Sequence, residues 1–300
     1  MRALFVLTPA ESKRLIGKAV ATLPEVIHAR KNDYLLMGHG STNVYVAEEV
    51  LGKEKVAELI DRNTYLSGLL VRGTLCSTLA TEKGPILLLK EGKLEPPAAT
   101  MSDMLRDFGR DAVFIKGASA VDTKGNAAVF MAHPEGGTIG WAIGTILARG
   151  IRLIAPVGLE KLVPSVEKAV ISCGQQTLDY CQGLKVGMMP LTGAKVITEI
   201  EALKILAGVE SIHVASGGAS STEGAVVLVA EGEKAEVEAA IRIVEAVKGE
   251  PALQPRKGLC EICGIASPAQ SADYETAGLA KRCPYEKMPE AELPDYLMNR

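Results

Sequence analysis

Three hundred residues, 47% hydrophobic and 23% charged with a net charge of −3, provide for one large domain or, as expected here, two, with a substantial core. The mild acidity and an aromatic content of 4%, with a single tryptophan, exclude a general basic or base-stacking footprint for nucleic acid. No stretch reaches the roughly 18 consecutive apolar residues of a spanning helix. The apolar run after Arg2 is too short for the centre of a signal peptide, so a cytoplasmic protein without membrane attachment is expected. Six cysteines then read as reduced thiols or metal ligands and not as a disulfide framework.

In chain order, "TPAESKRLIGKAVATL" has a proline near its start and helical spacing of Leu15, Ile16, Ala19 and Leu23. Apolar runs at 34–37, 69–72, 85–89, 112–115, 127–131, 152–155 and 169–172 read as strands, several of them separated by enough chain for a crossover helix. Continuous apolar strands alternating with helices predict an α/β fold, an open and mainly parallel sheet with helices on both faces. That unit is expected over 1–189. Residues 190–250 read as strand, helix, strand, strand, helix, a small α+β (βαββα) unit. Residues 251–300, rich in proline, cysteine and charge, form a tail. Its acidic "MPEAELPDYL" reads as an extended arm on its own or a neighbouring subunit, and a homo-oligomer is expected.

The first strand end carries "GHGST". Gly38 and Gly40 let a ligand approach the main chain, His39 sits between them, and Ser41 or Thr42 can cap the helix that continues through Val44, Val46, Ala47 and Val50. The open amides and dipole of a helix start suit a phosphate or carboxylate. A tight strand-to-helix turn with an ordinary cap explains the same residues. The third glycine of a dinucleotide fingerprint and the lysine of a Walker loop are both missing. "LLVRGTLCSTLA" repeats the pattern with Arg72, Gly73, Thr74, Cys76, Ser77 and Thr78. Arg72 offers a planar fork for an anion. Cys76 reads either as a thiol activated near a helix start or as a buried free cysteine.

The central stretch "DAVFIKGASAVDTKGN…HPEGGTIGWAIG…IRLIAPVGLEK" brings Lys116, Ser119, Asp122, Glu135, Gly136, Gly137, Thr138 and Glu160 to three successive strand ends. In open parallel sheets, ligands sit outside the carboxyl ends of the strands. Lys116 can face an anion or pair with Glu135 or Asp122. Glu160 reads as a base or nucleophile, or as a surface turn.

"GHGST" (38–42), "FIKGASAVDTKGN" (114–126) and "EGGTIGWAI" (135–143) together resemble the superfamily of ribose-5-phosphate isomerase A, coenzyme A transferases and the sensor domains of DeoR-type repressors. The resemblance covers about residues 30–170, and the small α+β unit is similar to the isomerase's second domain. It implies an anionic metabolite and either isomerase-like or acyl/coenzyme A transfer chemistry, with Glu160, Lys116 and Asp122 as the catalytic candidates. On that alignment the isomerase's aspartates fall on Lys116 and Ser119, and its lysine falls on Glu135. A site with inverted charges also fits a non-catalytic ligand-binding or regulatory protein.

In the tail, Cys260-x2-Cys263 and Cys283 have the spacing of three ligands for zinc or an iron–sulfur cluster. Glu286, Cys76, Cys181, a water or a second subunit are the candidates for the fourth.

Overall fold

A computed structural model describes residues 1–71, 73–79, 82–98, 100–263 and 283–297. The chain opens with β1 (Arg2–Leu7), α1 (Pro9–Thr22), α2 (Pro24–Asn32), β2 (Tyr34–Met37), α3 (Ser41–Leu51) and α4 (Lys53–Leu59). A hairpin of β3 (Leu69–Val71) and β4 (Thr74–Cys76) comes next, then β5 (Leu87–Lys90), β6 (Lys93–Leu94) and the one-turn α5 (Met101–Met104). β7 (Val113–Ile115), β8 (Ala120–Val121), β9 (Ala127–Met131), α6 (Gly137–Arg149), β10 (Arg152–Pro156) and α7 (Val166–Ile171) form the middle. The last elements are β11 (Gly187–Pro190), β12 (Lys195–Ile197), α8 (Glu199–Ala207), β13 (Glu210–Gly217), β14 (Ala225–Glu231) and α9 (Lys234–Glu245).

The largest sheet has six strands in the order β12-β10-β7-β2-β5-β6. β12, β10, β7 and β2 run parallel, while β5 and β6 add antiparallel to β2 and to each other. The sheet is therefore mixed and mostly parallel. Side chains alternate across it, as strand geometry requires. Leu35, Met37, Val113, Ile115 and Ile154 enter one core with Leu15, Ile16, Val44 and Leu203 of α1, α3 and α8. Leu36, Phe114, Leu153 and Ala155 enter the other with Met101, Ile139, Ala142 and Ile146 of α5 and α6. Burial on both faces explains why these strands read as unbroken apolar runs.

The expected βαββα order appears at 195–245, but its strands divide between sheets. β12 is the edge of the six-stranded sheet, and the antiparallel β13–β14 pair is completed by β1 from the start of the chain. β1 buries Phe5 and Leu7 and exposes Leu4 and Val6, an alternation that needs a partner strand to be worth ordering. A further correction concerns 169–172, expected as a strand. The residues lie at the end of helix α7, whose start is fixed by the Ser165 hydroxyl accepting from the Lys168 amide at 3.2 Å.

Arg14 of α1 is the polar anchor of the first core. It is buried, donates to Glu49 at 3.0 Å and to both carboxylate oxygens of Glu250 at 2.9 and 3.0 Å, and also pairs with Glu48.

Candidate functional site

Lys116 lies where β7 ends, its amide bonded to the Ile154 carbonyl of β10 at 2.9 Å. Its side chain is only 6% exposed. The amine reaches the His39 carbonyl at 3.3 Å and lines a cavity of about 260 Å³. Lys83 enters the same cavity and donates to the hydroxyls of Ser67 at 3.0 Å and Ser77 at 2.9 Å. No carboxylate pairs with either amine among the described residues. Burial pulls Lys83 down to about 8, against a small opposing effect of Cys76. Burial also pulls Lys116 down to about 8, helped by the charges of Lys83 and Lys161. At neutral pH both remain mostly charged, in a space that resists charge unless an anion joins them.

The start of α6 also borders the cavity. Gly136, Gly137 and Thr138 line the cavity, and no side chain caps the helix. Gly136 has φ +84°, and a Cβ there would stand 2.8 Å from the Cα of Gly140 and 3.1 Å from the Met131 sulfur. Only glycine therefore allows the chain to turn this tightly into the helix. The first amides of a 13-residue helix and two buried ammonium groups thus line one space.

The other expected residues are elsewhere. In the 38–42 loop, the Gly38 amide bonds to the Ile115 carbonyl and the Gly40 amide to the Tyr65 carbonyl, both near 3 Å. His39 Nε2–H donates to the Gly84 carbonyl at 2.8 Å, its ring against Tyr65. Ser41 opens α3 and Thr42 is buried within it. None of the five lines the cavity; the loop meets Lys116 through the His39 carbonyl. Ser119 accepts from the Phe130 amide at 3.1 Å, holding the β8–β9 hairpin. Asp122 accepts from the amides of Lys124, Asn126 and Val166 and from the Asn126 side chain, at 3.0–3.1 Å. Burial raises its pKa, but these donors outweigh that and leave it below the usual carboxylate range. It acts as a tie between the hairpin and α7. Glu135 accepts from the Trp141 indole at 3.1 Å and pairs with no lysine among the described residues. Arg72 lies outside the described residues.

Glu160 is mostly shielded beside Lys13, 2.8 Å away, its second oxygen without a hydrogen-bond partner among the described residues, and it does not line the cavity. Burial raises its pKa, but Lys13 and Lys161 bring it below the usual value. Its carboxylate folds over Gly158, where a Cβ would lie 1.8 Å from the oxygen. The neighbouring Glu199 is fully buried and accepts from the Leu159 amide at 2.9 Å. Burial, then the charge of Glu160, pushes it up to about 7.

The cysteines form a second focus. Cys260 and Cys263 share a turn, the Cys263 amide donating to the Cys260 carbonyl at 3.1 Å. Together with Cys76 and Cys283 they line a smaller cavity of about 20 Å³, and Cys76 and Cys263 line the larger one as well. Among the described residues, no group of three or more cysteine, histidine or acidic side chains is already arranged to hold an ion. Lys83 and Ser67 escaped the sequence reading. The polar residues after β4 were a signal for this wall, but nothing local marked the lysine a few positions further on.

No family model, no curated protein and no solved structure matches the chain.

Proposed function

We propose that the chain binds a small phosphorylated or carboxylated metabolite in the larger cavity, between the amines of Lys83 and Lys116 and the start of α6. The observation that carries this is the pair of buried lysines lining one cavity without a carboxylate partner among the described residues. The motif resemblance to sugar-phosphate isomerases supports the same class of ligand.

Chemistry on that ligand would run through Lys116. The amine, mostly protonated at neutral pH, would act as an acid and donor to the developing enediolate, and isomerase-like proton transfer would need a base besides it. Acyl transfer through Glu160 has less support, because that carboxylate is engaged by Lys13 and does not line the cavity. A ligand-binding or regulatory role is the second reading. It is favoured by a described lining that contains two lysines and no Asp or Glu.

The test is calorimetric titration of the full chain at pH 7 with inorganic pyrophosphate, orthophosphate and malonate. At least one should bind the wild type, and Lys83→Met and Lys116→Met should each weaken it tenfold or more. Failure of all three probes on the wild type, or unchanged affinity in both variants, would overturn the reading. Turnover of an aldose phosphate that disappears in Lys116→Met separates enzyme from sensor.

A further inference from the structure

Cys76 ends β4, while Cys260, Cys263 and Cys283 belong to the C-terminal segment. The segment meets the hairpin side on. The Thr78 hydroxyl donates to the Arg256 carbonyl at 3.2 Å, and a Cβ on Gly258 would collide with Leu79 at 2.5 Å. Four cysteines from two distant parts of the chain therefore line one space. Its volume of about 20 Å³ is near the ~10–15 Å³ needed for one water-sized occupant. That is room for a single ion.

Three further features fit a thiolate site. The Lys257 amine donates to the Cys260 sulfur at 3.0 Å, and the Tyr285 amide donates to the Cys283 sulfur at 3.4 Å. Donors of this kind orient and stabilise metal-bound sulfur. The Lys287 amide bonds to the Cys260 carbonyl at 2.8 Å, so the turn carrying Cys260 and Cys263 is tied to the segment carrying Cys283. Finally, among the described residues, Cys260 is a buried member of one cluster with Tyr285, Leu293 and Leu297, and Cys283 packs against it, so the two parts of the segment meet at the cysteines.

We propose that Cys76, Cys260, Cys263 and Cys283 form a four-thiolate site for one zinc-class cation that clips the C-terminal segment onto the β3–β4 hairpin, beside the anion cavity. No disulfide joins these cysteines. Binding requires the thiols to turn inward about χ1 to sulfur–metal distances of about 2.3 Å, with release of up to about four protons. Four thiolates around a divalent ion leave two negative charges, and Lys257 offsets one of them. Among the sequence candidates for the fourth ligand, the shared cavity selects Cys76, which would complete a tetrahedral shell with the three tail cysteines and make the metal part of the cavity wall.

The experiment measures metal per chain and X-ray absorption at the metal edge on the full chain purified without chelators. One zinc-class ion per chain with four sulfurs near 2.3 Å is expected. Cys76→Ser should reduce the shell to three sulfurs and weaken affinity at least tenfold, whereas Cys181→Ser and Cys173→Ser should leave both unchanged. Should Cys76→Ser fail to fold, the wild-type shell together with the two control variants still decides, because four sulfurs then require Cys76. A chain without metal, a three-sulfur wild-type shell, iron with acid-labile sulfide, or loss of a sulfur in Cys181→Ser or Cys173→Ser would overturn the proposal.

Discussion

The amine of Lys116 lies 3.3 Å from the carbonyl oxygen of His39, so the end of β7 is tied to the loop that follows the adjacent parallel strand β2. The glycine loop thus contacts Lys116 without lining the cavity, which Lys116 shares with the start of α6. The contact also leaves the ammonium with one neutral acceptor, a modest offset for a buried charge.

Anion affinity should depend on pH through the two lysines. Both are held at about 8 in the ligand-free chain. A bound anion favours the charged amines, so affinity is full below pH 8 and falls as pH rises through it. Pyrophosphate titrated at pH 7 and pH 9.5 should bind at least about tenfold more weakly at the higher pH. Equal affinities would mean that neither amine contacts the anion.

His39 should make the fold acid-sensitive. Burial pulls its pKa from 6.5 to about 4, and the positive charges of Lys83 and Lys116 act in the same direction against the hydrogen bond to Gly84. Below pH 6.5 the unfolded chain takes up a proton that the folded chain refuses, so stability falls progressively down to about pH 4. Between pH 7 and pH 5 this amounts to about 2 kcal/mol. Urea unfolding of His39→Gln should lose that part of the pH dependence, and a variant with the wild-type slope would contradict the assignment.

Glu199 should work in the opposite sense. Its folded pKa of about 7 lies above the ordinary 4.5. Its contribution is complete below pH 4.5 and is lost as pH rises through 7, a change of up to about 3 kcal/mol. Glu199→Gln should therefore be more stable than the wild type at pH 8 and show no such gain at pH 4.5, measured by urea midpoints. A variant destabilised at pH 8 would show that the carboxylate is ionised and paired there.

Arg14 should be costly to remove. Arg14→Leu leaves Glu48 and Glu250 buried without their closest cation, a loss expected at about 3–5 kcal/mol. Adding Glu250→Gln should recover part of it. A cost below about 1 kcal/mol would indicate that Arg62, 3.5 Å from both carboxylates, already neutralises them.

Much of the central sheet was legible because strands buried on both faces leave unbroken apolar runs, as at 34–37 and 113–115. β1 was not, since a short alternating strand is recognisable only beside its partner, and that partner is β14 near the other end of the chain. Residues 169–172 read as a strand from "AVIS", yet the Ser165 cap a few positions earlier decided for helix. Within the site, Lys116 and Gly136–Gly137–Thr138 were readable because glycine beside charge at a strand end or helix start has a local cause. Lys83 carries no such mark. Only the fold brings it into the cavity that Lys116 lines, as only the fold brings Cys76 to the tail cysteines.

The most direct measurement is a crystal structure of the full chain grown with tungstate, using the anomalous signal of the metal to locate the anion. The account predicts one strong peak in the larger cavity, within hydrogen-bonding reach of the Lys83 and Lys116 amines and the first amides of α6. A peak at the 38–42 loop, or density only on surface lysines, would contradict it.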